Sequence, residues 1–267
     1  MEKAVFNELR RIVYEKSGIS LGDNKEALVA SRISKRLRAL NLPSHSAYLN
    51  YLMSDNGEEL VQMLDVISTN TTNFFRESPH FDFLDDVMKK WLAAGQRRFR
   101  IWCAASSSGE EPYSLAMSML EAAKGDSLDL KILATDISTK VLKFAHMGIY
   151  PKDRVKEIPA SLLHKYFIKH KEAGETYYEA SPLLKDVISF RRLNLSNPPF
   201  PMKGPMDFVF CRNVMIYFDH AVRQPLIDEC FRLLKPGGYF MVGHSESLAG
   251  ISTKFKTVKP ATYIKPS

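Results

Sequence analysis

A run of small and acidic residues near the middle of the chain has the clearest chemical character. The apolar segment Arg100-Ile101-Trp102-Cys103 is followed by small residues at 104–109, and then by Glu110-Glu111-Pro112. Acids and proline are typical of the first turn of a helix, and small residues let a ligand approach the backbone closely. A strand, a small-residue turn and a helix in this order predict the nucleotide-binding corner of a doubly wound sheet.

The charge of this corner indicates what kind of ligand it binds. Of the glycine pattern that cradles a pyrophosphate, G-x-G-x-x-G, the turn has only Gly109. The carboxylates of Glu110 and Glu111 would repel a phosphate, whereas they suit a positively charged ligand that lacks one. S-adenosylmethionine, with its sulfonium and amino groups, is such a ligand. Both acids could instead only stabilise the helix dipole; we expect this for Glu110, and ligand contact for Glu111.

Further polar residues follow two other predicted strands. Asp136 ends the apolar segment 130–135, and acids at the carboxyl end of such strands commonly bind ribose hydroxyls. Capping of the next helix is the alternative, but Ser138 is available as that cap, so we favour the ribose role. Arg212-Asn213 follows the strand that ends at Cys211, where a cation and an amide can line the mouth of a pocket.

Tyr217 and Arg76 are candidates for contacting the group that reacts. Tyr217 can reach the same space as Arg212, and Arg76 offers a planar fork that matches a carboxylate. Alternatives remain open, because either arginine could form an ordinary ion pair and Tyr217 could belong to the core. Arg76 lies in a polar loop, residues 70–77, in which two adjacent phenylalanines are most simply packing anchors.

The sequence offers no pair of residues with the pattern of a nucleophile and its base. His244, Ser245 and Glu246 are neighbours, but catalytic triads are assembled from separate segments. Methyl transfer from a sulfonium to a carboxylate needs no base, because a glutamate with a pKa of about 4.3 is ionised at pH 7. Such a reaction needs alignment and desolvation of the carboxylate.

The elements that must position these residues form two units. Residues 1–75 have apolar side chains at helical spacing and predict a small helical bundle. Residues 76–267 alternate strands with helices and predict a parallel sheet. Segments 176–180 and 187–191 interrupt this alternation. We predict that they pair as a small antiparallel insertion over about residues 165–192.

A predicted helix near residues 24–40 carries a concentrated positive charge. One face of this helix is uniformly apolar. The opposite face has Arg32, Lys35, Arg36 and Arg38 with no acid among them. Internal pairing between side chains four residues apart is therefore not expected. An acidic docking surface is at least as well supported as a merely solvated face. Phosphate is a third partner to consider, although the aromatic residues usual in single-strand binding are not interleaved here.

Composition sets outer limits on these interpretations. The 267 residues are 45% hydrophobic and 25% charged, as in ordinary globular proteins, and the net charge of +7 favours an acidic partner. No apolar run approaches the roughly 18 residues of a membrane span, and the N-terminus lacks the features of a signal peptide. The spacing of the cysteines and histidines indicates buried thiols and no metal site. We expect a cytoplasmic protein without membrane insertion.

Taken together, these motifs resemble those of the CheR-type chemotaxis-receptor methyltransferases. Enzymes of that family move a methyl group from S-adenosylmethionine to glutamate side chains of methyl-accepting chemoreceptors. The matching segments occur in the family's order and cover nearly the whole chain. They are Asn70-x-Thr72-x-Phe74-Phe75-Arg76-Glu77, Ser108-Gly109-Glu110-Glu111-Pro112-Tyr113-Ser114, Ala134-Thr135-Asp136-Ile137, Cys211-Arg212-Asn213-Val214-Met215-Ile216-Tyr217-Phe218 and Gly243-His244-Ser245-Glu246-Ser247-Leu248.

The resemblance implies a fold and a set of roles. The fold would be α/β, with a Rossmann-like class I S-adenosylmethionine methyltransferase sheet, an all-helical N-terminal domain and a small antiparallel insertion. Arg76 and Tyr217 would lie nearest the transferring methyl group and the incoming carboxylate, and the basic helix would meet the receptor. Residues in contact with the cofactor would be Asn70, Thr72, Arg76, Glu111 and Asp136, with Asn194-Leu195 and Arg212-Asn213 on its adenosyl side.

We therefore predict a monomeric, cytoplasmic protein-glutamate O-methyltransferase whose partner is the cytoplasmic domain of such receptors. Glu111 would hold the methionine amino group and Asp136 the ribose. The products would be a glutamyl methyl ester and S-adenosylhomocysteine. There are two alternatives. One is a nucleic-acid methyltransferase whose basic helix binds the phosphates of the nucleic acid, and the other is a non-catalytic module that senses S-adenosylmethionine. We expect neither nucleic acid nor a metal to be bound.

Overall fold

The computed structural model describes residues 1–68 and 70–267, and the first of these parts is a helical bundle. Apolar side chains at helical spacing pack in its centre, among them Leu9, Val13, Ile33 and Tyr48. The predicted bundle is confirmed. Within residues 1–68 the helices are α1 (Lys3–Ser17), α2 (Glu26–Leu40), α3 (His45–Ser54) and α4 (Glu58–Ile67), with a 3₁₀ turn at Asp23–Lys25.

Residues 70–267 are built around one large mixed sheet and one small sheet. The large sheet has seven strands in the spatial order β6-β2-β1-β7-β8-β10-β9. β6, β2, β1, β7 and β8 are parallel, and β10 is antiparallel to both of its neighbours. The strands are β1 (Arg98–Cys103), β2 (Asp129–Asp136), β3 (Ile149–Pro151), β4 (Phe167–Glu172), β5 (Glu175–Ala180), β6 (Ile188–Arg192), β7 (Met206–Cys211), β8 (Leu234–Val242), β9 (Lys256–Lys259) and β10 (Thr262–Ile264).

Helices follow most of the parallel strands and cover the sheet. Every side chain of β7 is buried, as expected for a central parallel strand with both faces covered. None of the helices formed by residues 1–68 and 70–267 is both long enough and apolar enough to cross a lipid bilayer. The helices of the second part are α5 (Pro79–Ala93), α6 (Glu110–Ala122), α7 (Thr139–Met147), α8 (Ala160–Tyr166), α9 (Pro182–Lys185) and α10 (His220–Leu233), with a 3₁₀ turn at Met215–Tyr217.

The small antiparallel sheet exists, but its predicted composition was wrong. It has the strand order β3-β5-β4, so it extends over residues 149–180 and not about 165–192. Segment 187–191 does not pair with β5, because it falls in β6, which lies parallel to β2 at the edge of the large sheet. The true partners of β5 are β3 and β4. Most β4 side chains are exposed, so β4 lacks the apolar pattern that marks a buried strand.

The order of the parallel strands creates a crevice at one edge of the sheet. From β1, the strands β2 and β6 extend to one side, and β7 and β8 extend to the other. Because these strands are parallel, their carboxyl ends share one edge, and ligands of such sheets bind outside that edge where the order reverses. The residues that follow Cys103, Asp136, Arg192 and Cys211 therefore surround one crevice.

Gly109 is the residue at which the turn after β1 needs a glycine. Its φ is +99°, and a Cβ atom there would lie 2.7 Å from the Tyr150 hydroxyl and 2.9 Å from the Ala145 Cβ. The Tyr150 hydroxyl also donates a hydrogen bond to the Ser108 carbonyl at 2.7 Å. A side chain at this position would therefore push the turn away from the small sheet.

We predict that Gly109→Ala destabilises the protein far more than Gly95→Ala. Both glycines have positive φ, so both variants share the strain of that conformation, but a Cβ atom at Gly95 meets nothing within 4 Å. Overpacking should cost Gly109→Ala about 1–3 kcal/mol more. Urea unfolding of the two variants measures this difference, and equal midpoints would contradict the close packing of this turn.

Candidate active site

One pocket lies between the helical bundle and the carboxyl edge of the large sheet. It encloses about 1160 Å³ when its open mouth is counted, which is ample for a nucleoside-sized ligand. Every residue predicted for the cofactor or the reacting group lines it. These residues are Asn70, Thr72, Arg76, Glu111, Asp136, Asn194, Leu195, Arg212, Asn213 and Tyr217.

The pocket is lined in this way because its residues follow the ends of parallel strands. Ala104, Ala105 and Ser107 come after β1 and have side chains small enough to leave the backbone accessible. Asp136 ends β2, Asn194-Leu195 comes after β6, and Arg212-Asn213 comes directly after β7. The crevice is thus the one that the strand order creates.

Asp136 is a buried carboxylate fixed by the backbone. One of its oxygens accepts a hydrogen bond from the Ser107 amide and the other from the Ser138 amide, both at 2.9 Å. Burial raises the pKa of Asp136, and these amide hydrogen bonds oppose that rise. The hydroxyl of Ser138 caps α7 by accepting from the Val141 amide, as predicted. Asp136 is therefore held at the pocket wall by contacts that leave the capping of α7 to Ser138.

Arg212 is the charged centre of the site. Its side chain is 1% exposed, and its guanidinium donates to Glu111 Oε2 at 2.6 Å and to Glu77 Oε2 at 2.9 Å. It also donates to the carbonyl oxygen of Arg76 at 2.5 Å. Arg212 thus lines the pocket and orients Glu111, while its predicted place on the adenosyl side of the ligand stays a prediction.

The charges of this network stabilise one another. Burial alone would lower the pKa of Arg212, but the carboxylates of Glu111 and Glu77 raise it. Burial likewise opposes ionisation of Glu77, yet the hydrogen bonds from Arg212 and Asn213 outweigh it and lower the Glu77 pKa. The pairing thus favours the charged forms of both Arg212 and Glu77 in spite of their burial.

The adjacent acids Glu110 and Glu111 have separate environments. Glu111 faces the pocket, and its second oxygen accepts a hydrogen bond from the Cys103 thiol at 3.1 Å. Glu110 is fully buried, accepts from the Ser108 hydroxyl at 2.7 Å and pairs with Arg154 at 3.2 Å. Burial raises the pKa of Glu110. Glu110 is outside the pocket lining, as predicted, but its pairing with Arg154 goes beyond the helix cap that we expected.

The loop before α5 brings Arg76 to the pocket. Phe74 is buried in the core, as predicted for a packing anchor, and the Phe75 amide donates to the Ser114 hydroxyl at 3.0 Å. Phe75 and Glu77 have φ values of 53° and 57°, so the loop adopts a conformation that non-glycine residues rarely take. Arg76 donates to the Thr71 carbonyl at 2.9 Å. The hydrogen bond from the Phe75 amide thus anchors the backbone beside Arg76, and the Thr71 carbonyl orients its guanidinium at the pocket.

Sequence reasoning assigned no role to several residues that build the site. Glu246 is buried, and its carboxylate accepts hydrogen bonds from the amides of Gly243 at 2.6 Å, Asn213 at 2.7 Å and Ile216 at 3.2 Å. It therefore joins the turn after β8 to the segment that holds Arg212 and Tyr217. Tyr217 itself is half-buried, and it both lines the pocket and packs on the core.

The helical bundle also contributes to the pocket, which the sequence did not indicate. Ile19, Lys25 and Leu28 are part of its lining. The Ser20 amide donates to the Tyr217 carbonyl at 2.8 Å, and a strand-like bridge joins Ile19 to Phe218. The pocket is therefore closed on one side by the N-terminal helices.

The four cations of α2 divide into two groups. Arg36 donates to both oxygens of Glu59 at 2.9 and 2.6 Å, and Arg32 donates to the carbonyl oxygens of Ile67 and Ser68. Arg36 thus pairs with an acid from α4, and this contact lies outside the expectation, which concerned only pairing within α2. Lys35 and Arg38 are exposed.

Family models and known proteins match this chain over almost its full length. The models for the all-alpha domain and the SAM binding domain of CheR methyltransferases match residues 4–68 and 70–264. The chain belongs to the CheR methyltransferase family. The chemotaxis protein methyltransferase of Borreliella burgdorferi is 39% identical over 98% of this chain and 94% of its own length.

Two further relatives have similar coverage. Chemotaxis protein methyltransferase 2 of Pseudomonas aeruginosa is 38% identical over 97% of this chain and 91% of its own length. The chemotaxis protein methyltransferase of Escherichia coli is 36% identical over 96% of this chain and 88% of its own length. These findings confirm the predicted fold class, the cofactor and an S-adenosylmethionine-dependent methyltransferase of chemotaxis. They give no support to a nucleic-acid enzyme or to a non-catalytic sensor. The roles of single residues and the domain boundary between residues 75 and 76 stay predictions.

Glu246→Gln should loosen this CheR-family site without removing any residue that lines the pocket. The amide group of glutamine would face backbone N–H donors that now meet a carboxylate oxygen, so we expect a loss of about 1.5–3 kcal/mol of stability. Binding of S-adenosylhomocysteine should weaken several-fold because the Asn213 backbone is released. Unfolding and calorimetric titration measure both effects. Glu157→Gln, at an exposed acid, is the control, and identical behaviour of the two variants would refute the role of Glu246.

Proposed function

We propose that this enzyme methylates glutamate side chains in the cytoplasmic domain of methyl-accepting chemotaxis receptors. The observation that supports this most is a pocket lined by two acids, Glu111 and Asp136, and by Arg76 and Tyr217. The relatives of the chain are named chemotaxis protein methyltransferases. The expected products are a glutamyl methyl ester and S-adenosylhomocysteine. We also propose that the enzyme is monomeric and cytoplasmic, and its buried free cysteines are compatible with a reducing compartment.

The residues of the pocket fit the cofactor. When bound, S-adenosylmethionine supplies a methyl group on a positively charged sulfur, which a carboxylate can accept without a general base. In the proposal, Glu111 holds the methionine amino group, since Arg212 and Cys103 already orient its carboxylate. Asp136 accepts from the ribose hydroxyls. Asn70, Thr72 and the Asn194-Leu195 segment complete the contacts.

Arg76 and Tyr217 position the incoming carboxylate. Both are partly exposed and line the same pocket, and a guanidinium can bind a carboxylate through two parallel hydrogen bonds. The fixed loop around Arg76 and the contacts of Tyr217 with the helical bundle favour alignment of the reacting groups. Alignment and exclusion of water are what this reaction requires, because the acceptor is already ionised.

The expected reaction can be measured with a tritium-labelled methyl donor and the receptor's cytoplasmic domain. Label should enter the receptor and be released as methanol by mild base, because esters are base-labile. Label that resists base would indicate N-methylation and contradict the proposal. Tyr217→Phe should lower the rate constant by on the order of 10²-fold while retaining affinity for S-adenosylhomocysteine. Tyr177→Phe, whose hydroxyl contacts the exposed Glu175, is the matched control.

Lys35 and Arg38 are proposed to contact an acidic surface of the receptor. Both are exposed on α2, the helix that carries Leu28 into the pocket lining, so a receptor held there would lie beside the pocket. Arg36 takes part in the fold through its ion pair with Glu59.

Substitutions on α2 should separate docking from folding. Lys35→Ala and Arg38→Ala should raise the KM for receptor several-fold at low salt, with kcat and stability unchanged, and the effect should fade as salt screens the charges. Arg36→Ala should instead lose roughly 2 kcal/mol or more of stability, because the buried Glu59 would keep only the Tyr48 hydroxyl and lose its positive partner. A salt-independent KM in all variants would contradict this docking surface.

A further inference from the structure

In the part of the chain that the structure describes, three side chains with metal-binding atoms meet beside Arg212. Glu77 precedes α5, His80 lies in its first turn, and His244 follows β8. Their candidate ligand atoms all lie within 4.8 Å of one another. Glu77 Oε2 is 3.7 Å from His80 Nδ1 and 4.0 Å from His244 Nε2. The sequence predicted no metal site because His244 is far from the other two along the chain.

His80 is the unusual member of this group. Its side chain is buried, with 2% of the residue exposed, and neither ring nitrogen has a hydrogen-bond partner among the described residues. Buried polar atoms without partners are rare and cost about 1–3 kcal/mol each. Burial, helped by the charge of Arg212, lowers the pKa of His80 to about 4. The ring is thus neutral at pH 7, which is the form that binds a metal ion.

The donor set and the access to it indicate which ion fits. Two imidazoles and one carboxylate are typical ligands of zinc in sites with an open fourth position, whereas magnesium and calcium prefer oxygen donors. Tetrahedral zinc requires donor atoms roughly 3.3 Å apart, so small side-chain rotations close this group around it. The His244 side chain is 47% exposed, which leaves an entry path and room for a water ligand.

The charges around the group also permit a cation. Arg212 contacts Glu77, and a guanidinium alone would repel a metal ion. Arg212 is also paired with Glu111, so the two carboxylates together leave a net negative charge. A divalent ion would offset that charge and would give the ring nitrogens of His80 a partner.

We propose that Glu77, His80 and His244 form a binding site for one zinc ion, and that filling this site weakens binding of the cofactor. The coupling runs through Glu77 Oε2, which now accepts hydrogen bonds from Arg212 and from the His244 backbone amide. A metal on this oxygen competes with Arg212, and Arg212 in turn orients Glu111 at the pocket. Because linkage is reciprocal, the cofactor weakens zinc binding by the same factor.

Calorimetric titration of the full, untagged chain with Zn²⁺ tests the site without any methyl transfer. We expect one equivalent to bind, and magnesium not to compete. His244→Ala and His80→Asn should each weaken zinc binding at least tenfold, whereas His164→Ala, at an exposed histidine elsewhere, should not. The His244 side chain is 47% exposed, so its variant should keep its fold even if His80→Asn does not.

A second titration tests the coupling. Saturating zinc should raise the Kd for S-adenosylhomocysteine at least threefold in the unmodified protein and leave it unchanged in His244→Ala. Absence of stoichiometric zinc binding, or binding that survives both histidine substitutions, would overturn the site. Equal affinity for S-adenosylhomocysteine with and without zinc would overturn the coupling. Neither readout depends on which receptor group is methylated.

Discussion

The site depends on one buried cation, Arg212, held between Glu77 and Glu111. A charge removed from water must be paired, and loss of one partner of such a group is strongly destabilising. The three residues come from the end of β7, the loop before α5 and the start of α6. Their pairing therefore fixes three segments relative to one another. It also orients Glu111, the acid that faces the pocket, so the same contacts serve folding and ligand binding.

Residues at strand ends could be predicted from the sequence, because their positions follow from topology. Asp136 and Arg212 each end or follow an apolar segment, and parallel strands bring their carboxyl ends to one edge. The pocket lining agrees with this reasoning at every predicted position. Glu110 and Glu111 were also separated correctly with respect to the pocket, since helix geometry points adjacent side chains in different directions.

What the sequence could not reveal are contacts between distant segments. Arg36 finds its acid on α4, and Glu246 binds backbone amides thirty or so residues earlier, so local spacing carries no signal of either. Glu77 was visible in the loop motif but had no identifiable partner. Strand β4 escaped detection for a different reason. Its side chains are mostly exposed, and only pairing with β5 makes it a strand.

The pocket is lined by residues of both domains. Leu28 of α2 lines the pocket while Lys35 and Arg38, further along the same helix, stay exposed. The bridge between Ile19 and Phe218 ties the bundle to the segment that carries Tyr217. The N-terminal domain is therefore part of the pocket, and a receptor bound to α2 would lie next to the residues proposed to align its carboxylate.

The most direct test of this account compares two neighbouring glutamates. Calorimetric titration with S-adenosylhomocysteine should show at least tenfold weaker binding for Glu111→Gln, which loses the pocket-facing charge that Arg212 orients. Glu110→Gln, at a buried acid paired with Arg154 outside the pocket lining, should bind with nearly normal affinity even if it is less stable. Equal affinity of Glu111→Gln and the unmodified protein would contradict the central claim.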